Sequence, residues 1–148
     1  MSATIQGLAA LNRRLESLSK QEATKAGQIA NRAGATVLAK EVRKVAPNSP
    51  KTTEGEVRTR HNKGGTTRQE VHHKIVNSVK VRKTKGTDPT QVHNAVTIFG
   101  AYHASFVQFG SIHNAADPFM LTALQNAEGS IIAAIAKVLE KQLIKRGA

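Results

Sequence analysis

Six histidines are the side chains of this chain best suited to chemistry, because an imidazole can move a proton or bind a metal near neutral pH. His72 and His73 are adjacent, so on a strand they would point to opposite faces and could not grip one metal together. His103 and His113 could converge only through the tertiary fold. The spacing of the histidines therefore predicts polar surface or strand residues and no metal site.

Three His-Asn pairs, which begin at His61, His93 and His113, keep one catalytic hypothesis open, a histidine-metal nuclease. Such a site needs a ββα-metal arrangement with a separate general-base histidine, and the spacing here does not provide one. No pair of carboxylates suits a glycosidase or a two-metal site. There is no cysteine nucleophile, GxSxG elbow or phosphate-binding loop. The sequence predicts no catalytic residue, no cofactor and no enzyme.

The segment AYHASFVQFGSIHNAADPFM, residues 101–120, concentrates the few aromatic side chains of the chain, namely Tyr102, Phe106, Phe109 and Phe119. We expect some of these rings to seat the last helix on a sheet and others to face a neighbouring subunit. Gly110 is expected to allow a bend that a side chain would block. This segment predicts a packing or contact surface.

The charge of the chain is strongly uneven along its length. The 148 residues carry 22 Lys and Arg against 10 Asp and Glu, a net charge of +12, and the whole excess lies before residue 86. Residues 51–85 are the densest part, at net +7. Such a field favours a polyanion or an acidic protein as partner and says nothing about fold. The candidate contacts are Arg58, Arg60, Lys63, Arg68, Lys80, Arg82, Lys83 and Lys85.

Helical patterns open and close the chain. Ile5, Leu8, Leu11, Leu15 and Leu18 form one amphipathic face. A second helix is predicted from about Gln21 to Val45, ending before Pro47, with its core face at Ala26, Ala30, Ala33, Val37, Val42 and Val45. The last helix, over 117–146, is expected to have Asp117 as its cap, Pro118 at its first position and Gly147 as terminator. Its core stripe is Leu124, Ala127, Ile131, Ile135 and Val138 or Leu139.

The middle of the chain separates into a polar loop and a set of strands. Residues 47–70 have almost no apolar side chains and predict a mobile loop or extended arm. Alternating residues predict one strand over 71–83 and another over 92–98, with 101–110 as a further strand or a short helical turn. The lack of cysteine excludes disulfides, and no apolar run approaches a membrane span.

These patterns predict an α+β fold in one domain, residues 1–148. N-terminal helices (1–46) are followed by a long basic loop or arm (47–70) and a small antiparallel β-sheet (strands within 71–110). The C-terminal helix (117–146) packs on the sheet. The N-terminal sequence has no basic segment before an apolar core and is not expected to be a secretory signal.

The chain resembles the tail-completion, or head–tail joining, proteins of long-tailed bacteriophages. The resemblance is carried by Ala101-Tyr102-His103-Ala104, then Phe106-Val107-Gln108-Phe109-Gly110-Ser111, then Pro118-Phe119-Met120 leading to Ala123-Leu124. The long helix ending at Ala46-Pro47 and the strand Asn77–Val81 also fit, so the resemblance covers most of residues 20–146. Gln108 stands where the family often has Glu, Ser111 replaces Thr, and the 47–70 loop is longer and more basic.

The resemblance implies a non-enzymatic virion protein of the neck, assembled in the host cytoplasm. It implies a homo-oligomeric ring, a hexamer, between the head-side connector or stopper and the tail tube, with the genome passing through and no membrane contact. The subunit and partner interface is then expected at Tyr102, Phe106, Gln108, Phe109, Gly110, Pro118 and Phe119. The charge alone supports a different function, sequence-nonspecific DNA binding. Both functions are compatible if the basic face lines the DNA channel.

Overall fold

The computed structural model of the chain describes residues 7–48, 50, 54–86 and 88–147. Within these residues the helices and strands follow the order α1 (Leu8–Glu16), α2 (Lys20–Val45), β1 (Glu56–His61), β2 (Thr67–His72), α3 (Ile75–Ser78), β3 (Val79–Thr84), β4 (His93–Ile98), α4 (Ala104–Phe109) and α5 (Phe119–Lys145). N-terminal helices, antiparallel strand pairs and a long C-terminal helix confirm the predicted α+β class.

Helix α2 begins and ends where local chemistry requires. Ser19 is its N-cap, and its hydroxyl accepts a hydrogen bond from the backbone N–H of Glu22, whose carboxylate lies 3.1 Å from the same hydroxyl. The Ser-x-x-Glu sequence thus satisfies one free N–H of the first turn, while the carboxylate accepts from the Ser19 hydroxyl and not from the Ser19 backbone N–H, as it would in a capping box. At the other end, Ala46 precedes a proline and has the extended ψ of 133°. The predicted helix is confirmed within one residue at each end.

Helices α2 and α5 run antiparallel and in close contact, because small residues line the surface of α2 that faces α5. Ala26, Ala30 and Gly34 are buried, and Ile131 and Ile135 of α5 lie over Gly34. A Cβ atom added to Gly34 would be 2.6 Å from Cγ1 of Ile135, closer than two carbon atoms can approach. The absence of a side chain at Gly34 therefore sets the spacing between the helices.

The largest hydrophobic cluster lies where α2 ends and α5 begins. Phe119, the largest fully buried side chain, packs there with residues from α2, α3, β3 and the segment before α4. Its other buried members are Ala39, Val42, Ala46, Ile75, Val79, Ala101, Ala104 and Ala123. Most are alanine or valine, so the elements must approach closely to exclude water.

The strand pair β3–β4 is fixed to α2 by two polar contacts and by the apolar cluster. The amide of Asn31 donates to the carbonyl of Val92 at 2.9 Å, and the guanidinium of Arg43 donates to the carbonyl of Val79 at 2.7 Å. The register pairs Val79 with Ile98 and Val81 with Val96 on the face toward α2. The other face carries Lys80 and Arg82.

Of the two predictions for residues 47–70, a mobile loop or an extended arm, the structure shows an arm from residue 56 onward, in which β1 and β2 form an antiparallel hairpin that the sequence did not predict. Glu56 pairs with His72 and His61 with Thr67. The turn closes with the N–H of Asn62 bonded to the carbonyl of Thr66 at 2.9 Å, and Gly65 adopts the positive φ that glycine tolerates. We call this hairpin, residues 56–72, the arm. Cross-strand pairing supplies the order that a hydrophobic core does not.

The single strand predicted over 71–83 is wrong, since α3 interrupts it between β2 and β3. The one-turn helix buries Ile75 and Ser78, and the hydroxyl of Ser78 donates to the carbonyl of Lys74 at 2.8 Å. In the sequence, the alternation of apolar and polar residues fails at Val76, which follows the apolar Ile75 directly. Strand β4 is confirmed, and 101–110 proves to be the helical alternative, α4.

Helix α5 differs from its prediction at its start and on one face. Pro118, and not the predicted Asp117, occupies the N-cap position, and its side chain makes no capping hydrogen bond. Of the predicted stripe, Ala127 is buried and Ile131 and Ile135 are half-buried, but Leu124 is 45% exposed. Gly147 has a φ of 72° after the last turn, as expected of a terminator. By length and composition alone α5 could span a membrane, although it packs along α2.

Helix α1 lies against α5 and contributes no fully buried side chain. Leu11, Leu15 and Leu18 of the predicted amphipathic face are half-buried, and Leu8 is exposed. Ile5 lies outside the described residues. The N-terminal helix is therefore a peripheral element, and the position of the core depends on α2 and α5.

Gly34→Ala is expected to destabilise the protein by roughly 1–3 kcal/mol, although alanine is the better helix former, because the new methyl group overlaps the β-branched Ile135. Gly129→Ala is the matched control, since a Cβ there meets no atom within 4 Å. That change should stabilise α5 by about 0.5–1 kcal/mol. Urea unfolding of both variants measures the difference, and equal stabilisation by both would show that the helices are not closely packed at Gly34.

Candidate functional site

Helix α4 and the residues on either side of it present a row of exposed apolar side chains. Tyr102, Phe106 and Phe109 are 47%, 56% and 78% exposed, and Ile112 is 94% exposed. We call these four side chains the aromatic edge. Phe119, predicted with them as an interface residue, is fully buried and seats α5 in the core. The structure thus divides the predicted rings into one core anchor and three surface rings.

Two hydrogen bonds connect helix α4, which carries Phe106 and Phe109, to the segment that begins α5. The side-chain oxygen of Gln108 accepts from the backbone N–H of Met120 at 3.2 Å, and so satisfies one free donor in the first turn of α5. The N–H of Asp117 donates to the carbonyl of Val107 at 2.8 Å. Gln108 therefore provides the end-capping contact that was predicted for Asp117. It is half-buried, and its side chain serves the fold.

Gly110 makes the return of the chain possible after α4. Its φ is 80°, and an added Cβ would lie 3.0 Å from the backbone nitrogen of Ala116. The predicted bend is confirmed. Beyond it, the N–H of Ser111 bonds to the carbonyl of Asn114 at 2.9 Å, and Ile112 projects from the tip of this tight turn. Pro118 is exposed at the end of the segment.

A cleft of about 650 Å³ lies between α4 and this turn, and its walls include Phe106, Val107 and Ile112. His103 and His113 both line it, so the fold does bring these two histidines to one place. Among the described residues, no group of three or more His, Cys, Asp or Glu side chains is placed to hold a metal ion. The cleft is mainly apolar and suits an apolar side chain.

Two of the four candidate basic residues in the arm form salt bridges with carboxylates of the arm itself. Arg58 lies 3.1 Å from a carboxylate oxygen of Glu56, and Arg60 lies 3.7 Å from one of Glu70. The guanidinium of Arg60 also lies 5.9 Å from the ring centre of Tyr102, within reach of a cation–π contact. Lys63 and Arg68 are exposed near the tip. The arm therefore presents less available charge than its sequence indicates.

The basic residues of β3 flank an exposed aromatic ring. The ammonium of Lys80 and the guanidinium of Arg82 lie 5.2 Å and 4.6 Å from the ring centre of Phe99, which is 57% exposed. Lys83 and Lys85 are exposed at the end of the strand. Phe99 was not among the predicted site residues. The sequence did offer one indication, because Phe99 lies directly after the predicted strand 92–98 and before Gly100, where a side chain is often exposed at the end of a strand.

Glu54 fixes the base of the arm to α3. Its carboxylate accepts from Nδ1 of His73 at 2.7 Å, from the backbone N–H of Lys74 at 2.7 Å and from the amide of Asn77 at 3.0 Å. These hydrogen bonds, that from His73 foremost, lower the pKa of the Glu54 carboxyl to about 2. The carboxylate is therefore charged at any physiological pH. Sequence reasoning missed Glu54 because its partners lie about twenty residues away.

A stack of two histidines joins the arm to α4. The rings of His72 and His103 lie 4.8 Å apart at 24°, and Tyr102 meets both edge-on at 5.8 Å. His72 is 95% buried, and Nδ1 of each histidine is buried without a hydrogen-bond partner. Burial lowers the pKa of His103, and the nearby His72 and Arg58 lower it further. His73, by contrast, faces Glu54, so the adjacent pair diverges as expected.

Comparison with known protein families gives a match over most of the chain. A family model described as "HK97-gp10_like: Bacteriophage HK97-gp10, putative tail-component" matches residues 9–110, which is more than half of the chain. No curated protein and no solved structure matches. The matched residues include α2, the arm, the strand pair β3–β4 and α4. They end at Gly110, so Pro118-Phe119-Met120 lies beyond them.

Lowering the pH from 7.5 to 5.5 is expected to destabilise the protein through His103. Its pKa in the fold lies below the ordinary value of about 6.5, so the unfolded chain takes up the proton first. The stabilisation is complete above about pH 6.5 and is lost as the pH falls toward the folded pKa. Urea midpoints at the two pH values measure this loss.

His103→Phe keeps a ring in the stack but cannot be protonated. Its stability should therefore fall less between pH 7.5 and 5.5 than that of the unchanged protein. His113→Phe is the matched control, because His113 is exposed and its removal should leave the loss unchanged. An equal loss in all three proteins would remove His103 as the cause. An NMR titration of His103 with a midpoint at or above the ordinary value would do the same.

Proposed function

The chain belongs to the HK97-gp10-like family of bacteriophage proteins, and from this premise we propose that it is a non-enzymatic structural protein of the virion. It acts as a tail-completion subunit in the neck of the particle, where a ring of copies, a hexamer, joins the head-side connector or stopper to the tail tube. The genome passes through the ring. The protein is made and assembled in the host cytoplasm.

The exposed aromatic edge is the observation that carries this proposal. Monomeric proteins rarely leave a large patch of aromatic and aliphatic side chains in water, and such patches mark surfaces for protein contact. Here Phe109 and Ile112 are the most exposed large apolar residues of the described chain. They are held in place by Gly110 and by the contact of Gln108 with α5, which is how a preformed binding surface avoids an ordering cost.

The architecture also suits a ring. A ring requires two different surfaces on each subunit that meet head to tail and close by rotation. The helices and β3–β4 form a firm body, while the arm extends from it with little apolar burial. Body and arm thus provide two unlike surfaces on one small subunit.

Phe109→Ser is expected to leave the monomer folded and to weaken ring assembly at least tenfold, because it removes an exposed ring from the aromatic edge. Phe119→Ala should instead destabilise the fold by about 3–5 kcal/mol, since that ring is fully buried. Leu124→Ser, at a 45% exposed site on α5, is the control for a general loss of surface apolarity. Sedimentation and electron microscopy with connector and tail-tube proteins measure assembly.

A strict monomer that joins neither connector nor tail tube, and that is absent from purified virions, would refute the neck assignment. A monomer in isolation would not, because subunits of this kind can assemble on their template. The aromatic edge, as distinct from the neck role, is refuted if Phe109→Ser assembles as well as the unchanged protein.

The basic face of β3 favours a second candidate function, sequence-nonspecific DNA binding. Lys80 and Arg82 project from the face opposite α2, and Lys83 and Lys85 extend the charge along the chain. Lysine and arginine that neutralise phosphates release counterions and bind duplexes regardless of sequence. This function and the neck role are compatible where the face lines the channel for the genome.

Duplex binding should weaken linearly with the logarithm of salt concentration, with a slope of roughly −0.9 for each phosphate contacted. The double change Lys80→Ala and Arg82→Ala should reduce that slope by about 2 units. The double change Lys141→Ala and Lys145→Ala removes the same charge from the far end of α5 and should affect binding less. Fluorescence anisotropy at several salt concentrations measures the slopes. No affinity at low salt would end this candidate function.

A further inference from the structure

The two faces of the arm differ in charge and in contacts. One face carries Glu56, Arg58, Arg60, Arg68, Glu70 and His72 and meets the body through the histidine stack and Tyr102. The opposite face carries the pairs Val57–Val71, Thr59–Gln69 and His61–Thr67, all of them exposed. It has no carboxylate, lysine or arginine. We call these six side chains the neutral face of the arm.

The stacking of His72 on His103 and the contact of Arg60 with Tyr102, which join the arm to the body of its own chain, both come from the charged face. Val57 and Val71 are directly paired across the strands and remain 57% and 47% exposed. A two-stranded sheet is marginally stable in water unless a further layer covers one of its faces. We therefore expect a second molecule to cover Val57 and Val71.

Charge identifies that second molecule. The chain has a net charge of +12, so two copies repel each other wherever their basic surfaces meet. Residues 86–136 contain no lysine or arginine and do contain Asp88, Asp117 and Glu128. The aromatic edge lies within this acidic stretch. Tyr102 lies beside Arg60 of its own chain, whereas Phe109 and Ile112 are the most exposed members of the edge. The arm of a second copy, with Lys63 at its tip, can therefore approach Phe109 and Ile112 with less repulsion than it would meet at the basic residues before position 86.

We infer that the neutral face of one subunit's arm packs on the aromatic edge of the next subunit, with Lys63 close to the neighbour's Asp117. Valine against phenylalanine or isoleucine buries apolar area without leaving a charge unpaired. The two surfaces differ, so the contact is heterologous and propagates around a ring. This inference rests on the proposed ring and names the surfaces that close it.

The native chain has no cysteine, so single cysteines report the contact without background. Val57→Cys and Ile112→Cys are introduced in separate chains, which are mixed and assembled with tail-tube and connector proteins. A short bismaleimide linker should join one chain of each kind and should join neither variant to itself. The double variant should give a ladder that ends at the subunit number of the ring. Val57→Cys mixed with Ile144→Cys, at the far end of α5, is the control and should not react.

Val57→Asp provides a readout that does not depend on the linker. The site is more than half exposed, so the monomer should retain its urea midpoint, while ring assembly should weaken at least tenfold. Thr59→Ser, on the same face, is the conservative control. An unchanged assembly of Val57→Asp would overturn the contact.

The outcomes separate the two proposals. Rings that form normally but show no Val57–Ile112 cross-link, or that cross-link Val57 to Val57, overturn the arm contact and leave the neck role standing. A protein that forms no ring with either partner and is absent from virions overturns both. Cross-linking to a connector or tail-tube protein in place of a second copy assigns the neutral face to that partner and also overturns the contact.

Discussion

The close contact of α2 with α5 is the constraint on which the rest of the structure depends. The chain is 3% aromatic, so it cannot fill a wide gap between elements with large side chains. It brings the helices together instead, with alanines and Gly34 against the isoleucines of α5. This close contact places the start of α5 at the end of α2. Phe119, the first residue of α5, then packs against residues of α3, of β3 and of the segment that leads into α4. Gln108 and Gly110 connect helix α4, and with it the aromatic edge, to this start of α5.

The arm is stabilised by other interactions than the body. Only His72 at its base is buried, and its order comes from cross-strand pairing, the Asn62–Thr66 turn and the contacts of Glu54 with α3. The body thus determines where the arm starts, while the arm's own sequence determines its shape. This division explains how a small subunit can combine a fixed contact surface with a second surface held away from the core.

Much of the body was predictable, and the reasons for the failures are physical. Helices with a 3.6-residue period and clear end signals, such as Ser19 to Glu22 and Ala46 before Pro47, were accessible from local sequence. The two strands of the arm were not predicted, because they alternate between charged and neutral residues and not between polar and apolar ones. The Gly64-Gly65 pair between them was the available signal. The one-turn helix α3 was missed because Glu54, about twenty residues away, supplies a hydrogen bond at its start. Whether a phenylalanine is buried or exposed depends on how α4 packs against α5. The local sequence pattern does not predict that packing.

The sparse burial in the arm affects which experiments can detect its motion. Opening a segment changes the denaturant slope and the heat capacity in proportion to the surface newly exposed to water. Apart from His72, the side chains of β1 and β2 are already largely in contact with solvent. Detachment of the arm would therefore be almost silent in calorimetry and in urea titrations, which report the helical body. Its amide protons would exchange by openings that denaturant scarcely accelerates, so the subunit has two stabilities that separate methods must measure.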